Sequence, residues 1–234
     1  MKLGLLGYPI THSLSPKLYQ NFLGDQLTSY ELFSFTEKRE IPPLSYFQKK
    51  LDGLNITSPY KTHFINDVHI SSPLVKKIGA INTLAFYGDD VLATNTDLLA
   101  VEEILKRYLR EHSNLELVIL GDGVMAQMTV LMAESLGIPF RQFFRKKNPE
   151  LERMDFTLLT KENSQILIIN ACSRAFQFQG RFSGEELFWD YNYNFPSHQH
   201  IISQVKSYSD GQEMLELQAR AAIKFWKEVI PKLK

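Results

Sequence analysis

The stretch Leu115-Glu116-Leu117-Val118-Ile119-Leu120 runs into Gly121-Asp122-Gly123-Val124-Met125-Ala126 and then into a helical pattern halted by Gly137 and Pro139. A second apolar run, Phe140–Phe144, follows at once. An apolar strand, a glycine turn, a helix from Val124 to Leu136 and another strand make a βαβ unit, because parallel neighbours need a crossover of about a dozen residues or more. The G-x-G-x-x-A spacing permits a tight turn, close backbone approach to a pyrophosphate and close packing of helix on strand. Alone it is a weak fingerprint, shared with the glycine turns of methyltransferases.

The rest of the chain alternates in the same way. Leu3–Leu6 reads as a strand, Pro16–Leu23 as a helix opened by Pro16, and Tyr30–Phe35 as a second strand. Leu54–Ile56 is a short buried strand, and Ile81–Phe86 and Val91–Thr94 flank the hairpin turn Tyr87-Gly88-Asp89-Asp90. An amphipathic helix runs from Thr96 to about Arg110, with Leu98, Val101, Leu105 and Leu109 on one face. Ile166–Ile169 and Leu187–Trp189 supply further strands, and Gly211–Val229 is a long terminal helix. The fold class is therefore α/β with largely parallel sheets, in two domains. Residues 1–97 with 211–234 form an N-terminal α/β domain, 98–210 a Rossmann-like domain, and a cleft separates them.

The chain of 234 residues has 26 basic and 26 acidic side chains, so no net field draws it to nucleic acid or an anionic membrane. Its single cysteine, Cys172, excludes an internal disulfide framework and suits a reducing cytoplasm. The apolar start Met1–Gly7 is closed by Pro9 and His12, too short for a signal peptide, and no run approaches a membrane span. A cytoplasmic protein acting on small molecules, as a monomer or homodimer, is expected.

The chemistry concentrates in Asn55-Ile56-Thr57-Ser58-Pro59-Tyr60-Lys61 and Asn95-Thr96-Asp97. Lys61 by itself reads as a solvated lysine, and Asp97 as a charge favoured by a helix N-terminus. Together they make a proton donor with a carboxylate that holds and aims it, which is what a carbonyl oxygen needs as hydride arrives at its carbon. Which of the two carries the proton at each step is left open. In Ser13-Leu14-Ser15 the two hydroxyls face the same way on an extended segment and suit a carboxylate, while Ser15 equally serves as N-cap of the helix opened by Pro16. No metal site is expected: His198-x-His200 has no ligand partners at metal spacing and reads as surface, and His12 orders the serine turn. Lys49-Lys50 and Lys76-Lys77 read as solvated charge.

Gly7-Tyr8-Pro9-Ile10-Thr11-His12-Ser13-Leu14-Ser15-Pro16, the Asn55–Lys61 motif, Gly79-Ala80-Ile81-Asn82-Thr83 and Asn95-Thr96-Asp97 resemble, in order, the substrate-domain signatures of the shikimate and quinate dehydrogenases. Asp190-Tyr191-Asn192-Tyr193 and Gly211–Gln218 are similar to the later motifs of that family. The resemblance spans nearly the whole chain. It implies NADPH-dependent reduction of 3-dehydroshikimate to shikimate, an aromatic amino acid and chorismate biosynthesis step, with Ser13 and Ser15 on the substrate carboxylate. It also implies that Thr57, Asn82, Thr96, Tyr193 and Gln218 line the pocket for the ring hydroxyls. Thr57, Asn82, Tyr193 and Gln218 also have plainer readings: turn residue, strand edge, core aromatic and exposed helix position.

For the cofactor, the resemblance and the glycine turn point to Gly121, Gly123, Ala126, Asn170 and Gly211. The turn departs from the family's small-residue pattern at Asp122, Val124 and Met125; Asp122 puts a negative charge near the two phosphates. The next strand ends in Arg145-Lys146-Lys147 with no acid for a ribose diol, so Arg145 and Lys146 favour a 2′-phosphate and NADP over NAD. Asn170-Ala171 keeps the first half of an Asn-Ala-Thr-Pro motif. The alternative function is a family member that binds the hydroxy acid but has weak or lost cofactor binding and little catalysis.

Overall fold

The computed structural model describes residues 1–159 and 163–230. They fall into two units, Met1–Leu99 together with the chain from Glu216 onward, and Ala100–Leu215.

In the first unit the strands are β1 (Lys2–Gly7), β2 (Ser29–Ser34), β3 (Gly53–Ile56), β4 (His69–Ile70), β5 (Thr83–Tyr87) and β6 (Asp90–Thr94). The helices are α1 (Ser15–Leu23), α2 (Leu44–Gln48) and α3 (Pro73–Ile78); α4 (Thr96–Glu111) begins in this unit, and α6 (Gln212–Val229), which follows α5 of the second unit, ends in it. The sheet order is β2-β1-β3-β5-β6-β4. β1 runs parallel to β2 and β3, but β5 is antiparallel to both β3 and β6, so this sheet is mixed where largely parallel pairing was expected. For β5 and β6 the cause is local: Gly88, at φ 59°, closes a tight hairpin that forces the two antiparallel. Leu3 and Ala85 of the sheet meet Tyr19 and Leu23 of α1 and Ala219, Ala222 and Trp226 of α6. Trp226 is fully buried, stands 5.6 Å from the Tyr19 ring and donates its indole N–H to the Leu84 carbonyl at 2.7 Å. Elsewhere in the core Phe47 meets Phe33 and Phe64 edge-on.

The second unit holds β7 (Leu115–Leu120), α5 (Val124–Leu136), β8 (Phe140–Phe143), β9 (Gln165–Asn170), β10 (Leu187–Asp190) and β11 (Ser207–Ser209). Its sheet is wholly parallel, in the order β11-β10-β9-β7-β8. The strand order reverses between β7 and β9, the crevice where open α/β sheets receive ligands. All six side chains of β7 are buried, Glu116 included, as expected of a central parallel strand. α5 follows β7 as the glycine turn predicts. Between β8 and β9, and between β9 and β10, the described residues form short 3-10 turns and irregular chain in place of α-helices. An aromatic cluster does the covering there: Phe156, Phe176, Phe178 and Phe188 are buried with Val118, Leu120, Ile166 and Ile168.

Among the described residues no helix is long and apolar enough to cross a membrane.

Removing the Trp226 indole deletes a fully buried contact between α6 and its sheet and takes its hydrogen bond from the Leu84 carbonyl. Trp226→Ala should therefore cost about 3–5 kcal/mol of stability. Urea unfolding would check it, and a loss under about 1 kcal/mol would mean that α6 is held by other contacts.

Candidate active site

The first unit gathers most of the polar residues singled out by sequence. β3 ends at Ile56 and passes into a turn in which Tyr60 N–H bonds the Thr57 carbonyl at 2.9 Å. That turn delivers Lys61, whose carbonyl accepts the Ile81 N–H at 2.8 Å and is thereby pinned to the approach of β5. Asp97 arrives from the first turn of α4. The helix is capped by Asn95, whose Oδ1 accepts the Leu98 N–H at 3.2 Å while its Nδ2 donates to the Ala80 carbonyl at 3.0 Å. Lys61 Nζ meets Asp97 Oδ2 at 2.8 Å, with only 13% and 11% of the side chains exposed. The lysine and aspartate thus form a largely desolvated ion pair.

Beside it lies a buried amide and hydroxyl network. Asn82 Oδ1 accepts the Thr96 backbone N–H at 2.7 Å, and Asn82 Nδ2 donates to Thr96 Oγ1 at 3.1 Å. Thr96 Oγ1 lies 3.4 Å from Gln218 Oε1, so α6 and the start of α4 share a contact. Gln218 is buried, not an exposed helix position. Sequence reading gave no role to Tyr30, Asn55 or Thr83, yet all three extend this network: Tyr30 donates to Asn55 Oδ1 at 3.1 Å, and Asn55 Nδ2 donates to Thr83 Oγ1 at 3.3 Å. Asn55 carried a signal, being the one polar residue of a strand buried throughout. Burial pushes the Tyr30 phenol well up, opposed in part by the Ser15 hydroxyl beside it; burial and the Tyr30 neighbour push Tyr19 up as well. Both phenols stay protonated through the physiological range.

The serine turn differs in one respect from expectation. The helix α1 starts at Ser15 itself, with Leu14 in the capping position and no side-chain cap. Ser13 Oγ accepts the Ser15 N–H at 3.2 Å, so Ser15 is not the N-cap, and its buried hydroxyl is turned toward Tyr30. His12 is exposed in the same turn.

In the second unit Gly121 has φ 117°, and a Cβ there would meet the Ala171 carbonyl and Cys172 Sγ at 3.3 Å. Only glycine suits that backbone and that approach. Gly123 caps α5, and a Cβ on it would meet nothing within 4 Å. Ala126 is fully buried, as close packing of helix on strand demands. The turn is thus open at its second glycine and at the N-terminus of a 13-residue helix, a fit for a pyrophosphate. Asp122 is exposed on the same turn. Arg145 and Lys146 are exposed just beyond β8. Gly211 is required by contact: a Cβ would lie 2.2 Å from the Tyr191 carbonyl oxygen. Tyr193, half-buried beyond β10, has its carbonyl held by Arg174 Nη1 at 2.7 Å.

Two residues lie deeper in this unit, and for His198 the expectation changes. Asn170 is fully buried, and its amide is engaged with protein groups, donating to Asp190 Oδ1 at 3.0 Å and accepting the Cys172 N–H at 3.1 Å. His198 is not at the surface: it is fully buried, its Nδ1 is 2.6 Å from Asp190 Oδ2, and its Nε2 accepts the Phe178 N–H at 3.0 Å. The eight-residue spacing from Asp190 gave no hint of this, because an irregular turn brings the two together.

A parallel α/β sheet with an open glycine turn, and a separate mixed sheet bearing a buried Lys–Asp pair beside an amide cluster, define a two-unit protein of the dinucleotide-dependent dehydrogenase type. Residues 5–84, about a third of the chain, match the model of the shikimate dehydrogenase substrate binding domain. A shikimate dehydrogenase (NADP(+)) of Legionella pneumophila strain Lens is 28% identical across all of this chain and 96% of its own length. That of Ignicoccus hospitalis is 31% identical over 56% of this chain and 50% of its own. In fold, the chain is similar to the shikimate dehydrogenase of Aquifex aeolicus (TM-score 0.74, 24% identity, covering 97% and 92% of the two chains). The Thermus thermophilus enzyme solved with NADP(H) and shikimate gives 0.70 at 20% identity, covering 98% and 94%. Along nearly all of its length, in sequence and in fold, the chain is similar to the shikimate dehydrogenases.

Cys172 borders the glycine turn. Burial pushes its thiol up to about 11, with the nearby Arg145 pulling down and Asp122 and Asp190 adding to the rise. Since the thiolate is the reactive form, alkylation by iodoacetamide should be slow at pH 8 and accelerate toward pH 11. Labelling with mass detection would show this; a rate already at plateau by pH 9 would contradict it.

Proposed function

We propose that this protein reduces 3-dehydroshikimate to shikimate with NADPH. The observation that carries the reading is the 2.8 Å Lys61–Asp97 pair, largely withdrawn from water, beside the Asn82–Thr96–Gln218 cluster. The names of the relatives supply the substrate class and the cofactor.

Lys61 donates a proton to the carbonyl oxygen that becomes the new hydroxyl, and Asp97 keeps the ammonium aimed at it. Ser13 and Ser15 hold the carboxylate, which fixes the orientation of the ring. Thr57, Asn82, Thr96, Tyr193 and Gln218 bind ring hydroxyls; Asn82 has a second amide hydrogen beyond the one given to Thr96. Gly121, Gly123 and the α5 N-terminus hold the pyrophosphate, with Ala126 packing the helix close and Gly211 keeping the Tyr191 backbone in place. Arg145 and Lys146 bind the 2′-phosphate. When bound, the reduced nicotinamide supplies the hydride. The overall change is ketone, hydride and proton to secondary alcohol, with NADP⁺ released.

A second reading, that the chain binds the hydroxy acid with little catalysis, is favoured by one observation: the exposed Asp122 carboxylate in the phosphate turn. Titration with NADPH and NADH, with and without 3-dehydroshikimate, separates the two. Turnover with NADPH supports the enzyme. Binding of shikimate without binding of either nucleotide supports the second reading.

Lys61→Ala should lower kcat by roughly 10²–10⁴ with a much smaller change in KM, because its interaction grows in the transition state. Near-normal turnover would remove Lys61 from the chemistry.

Arg145→Ala should weaken NADPH binding severely and NADH binding little, since the guanidinium engages the 2′-phosphate that only NADPH carries. Calorimetric titration of both nucleotides tests this, and equal weakening of the two would refute the assignment.

A further inference from the structure

We propose that the buried Asp190–His198 pair is a positioning unit for nucleotide binding, acting through the loop that follows β9. The inference rests on the NADPH reading above and deepens it.

Asp190 sits at the end of β10, fully buried, and its two oxygens are crowded with donors. Oδ1 accepts from Asn170 Nδ2 at 3.0 Å and from the Asn192 backbone and side-chain nitrogens at 2.9 Å each. Oδ2 faces His198 Nδ1 at 2.6 Å and the Tyr208 hydroxyl at 3.4 Å. A buried carboxylate is tolerable only when its lone pairs are filled in this way. The tautomer of His198 follows from its other nitrogen: Nε2 accepts the Phe178 N–H, so Nδ1 carries the proton and donates to Asp190. With both nitrogens spent and no solvent exposure, His198 has no proton to give a substrate. It is a strut, not an acid or base.

The strut reaches the candidate nucleotide turn in three short steps. Asn170, held by Asp190, accepts the Cys172 N–H at 3.1 Å, and Asn192 Nδ2 donates to the Cys172 carbonyl at 3.2 Å. The Ala171–Cys172 backbone and sulfur in turn form the wall 3.3 Å from where Gly121 would carry a Cβ. The position of the first turn glycine is therefore set against a loop that Asp190 fixes. The β7–β9 ladder also holds the start of this loop, through the Ala171 N–H on the Leu120 carbonyl at 2.9 Å, and no α-helix crosses from β9 to β10, so the Asp190 contacts act on the Cys172 end. His198 also secures Phe178, and His200 Nε2 donates to the Phe178 carbonyl at 3.0 Å, so one irregular turn braces the whole crossover.

The experiment is calorimetric titration of the full chain with NADPH, and separately with shikimate, for the unaltered protein and the variants His198→Ala, His198→Asn and Asn192→Ala. His198→Ala and Asn192→Ala should raise the NADPH Kd roughly tenfold, the scale of one lost hydrogen bond, and leave the shikimate Kd alone. His198→Asn can place an amide N–H where Nδ1 stands and should recover most of the affinity. A merely structural role would lower the number of competent sites without moving the Kd of those that remain, and that result would overturn the proposal. Asn192 is half-buried, so its variant answers the question if His198→Ala does not fold. Failure of the NADPH reading itself would show in the unaltered protein, as no nucleotide binding, whereas failure of this inference would show only in the variants.

Discussion

The hydrogen bond from the Thr96 N–H to Asn82 Oδ1 is the fixed point of the first unit. The first turns of a helix have N–H groups without intrahelical partners, and here one is met by a side chain from another segment and another by Asn95. The start of α4 is thus fixed to the edge of β5 with no freedom to fray or rotate. Asp97 comes one residue later and inherits that position, which brings its carboxylate to Lys61. The same Asn82 ties in Thr96, and Thr96 ties in Gln218 from the far end of the sequence. Capping and the candidate chemistry are therefore one arrangement, and a change in either disturbs the other.

The second unit solves a different problem. A parallel sheet needs both faces covered, and crossover helices ordinarily supply this. α5 covers part of one face, while between β8 and β10 the chain relies on phenylalanines and on a carboxylate buried among donors. Aromatic rings bring large buried area per residue, so a short irregular crossover can do the work of a longer helix. Regular backbone bonding is given up in exchange, and Asp190 with its partners restores the lost satisfaction locally.

Much of this was legible in the sequence where a segment was long and periodic. β7 and α5 fall where the apolar run and the glycine stops put them, and α4 starts at Thr96, where the amphipathic pattern begins. The two-residue β4, the short α2 and α3 and the three-residue β11 were not anticipated, being too brief for any period to emerge. Antiparallel β5 is a matter of topology: the hairpin turn at Gly88 is visible in the sequence, its effect on the whole sheet is not. Among site residues, Lys61 meets Asp97, and Asn82 meets Thr96, which meets Gln218. Tyr30, Thr83 and His198 did not announce themselves, because their partners are contributed by distant segments. The motif points Asn170 to the nucleotide; its amide bonds Asp190, from a segment the motif does not contain, and the Cys172 N–H.

The reach of Trp226 back to Leu84, across 142 residues, has a consequence for how the chain is made. A ribosome adding about 5–20 residues each second needs roughly 7–30 s to pass from one to the other. Through that interval Leu3, Tyr19 and Ala85 have been synthesised, but the helix that shields them has not. The nascent first sheet therefore presents an apolar face until the final stretch emerges, while all of the strands of the second unit are already outside or in the exit tunnel. Holding factors that recognise exposed apolar chain would find their target on the earlier half of the polypeptide, and release would coincide with completion of the last helix.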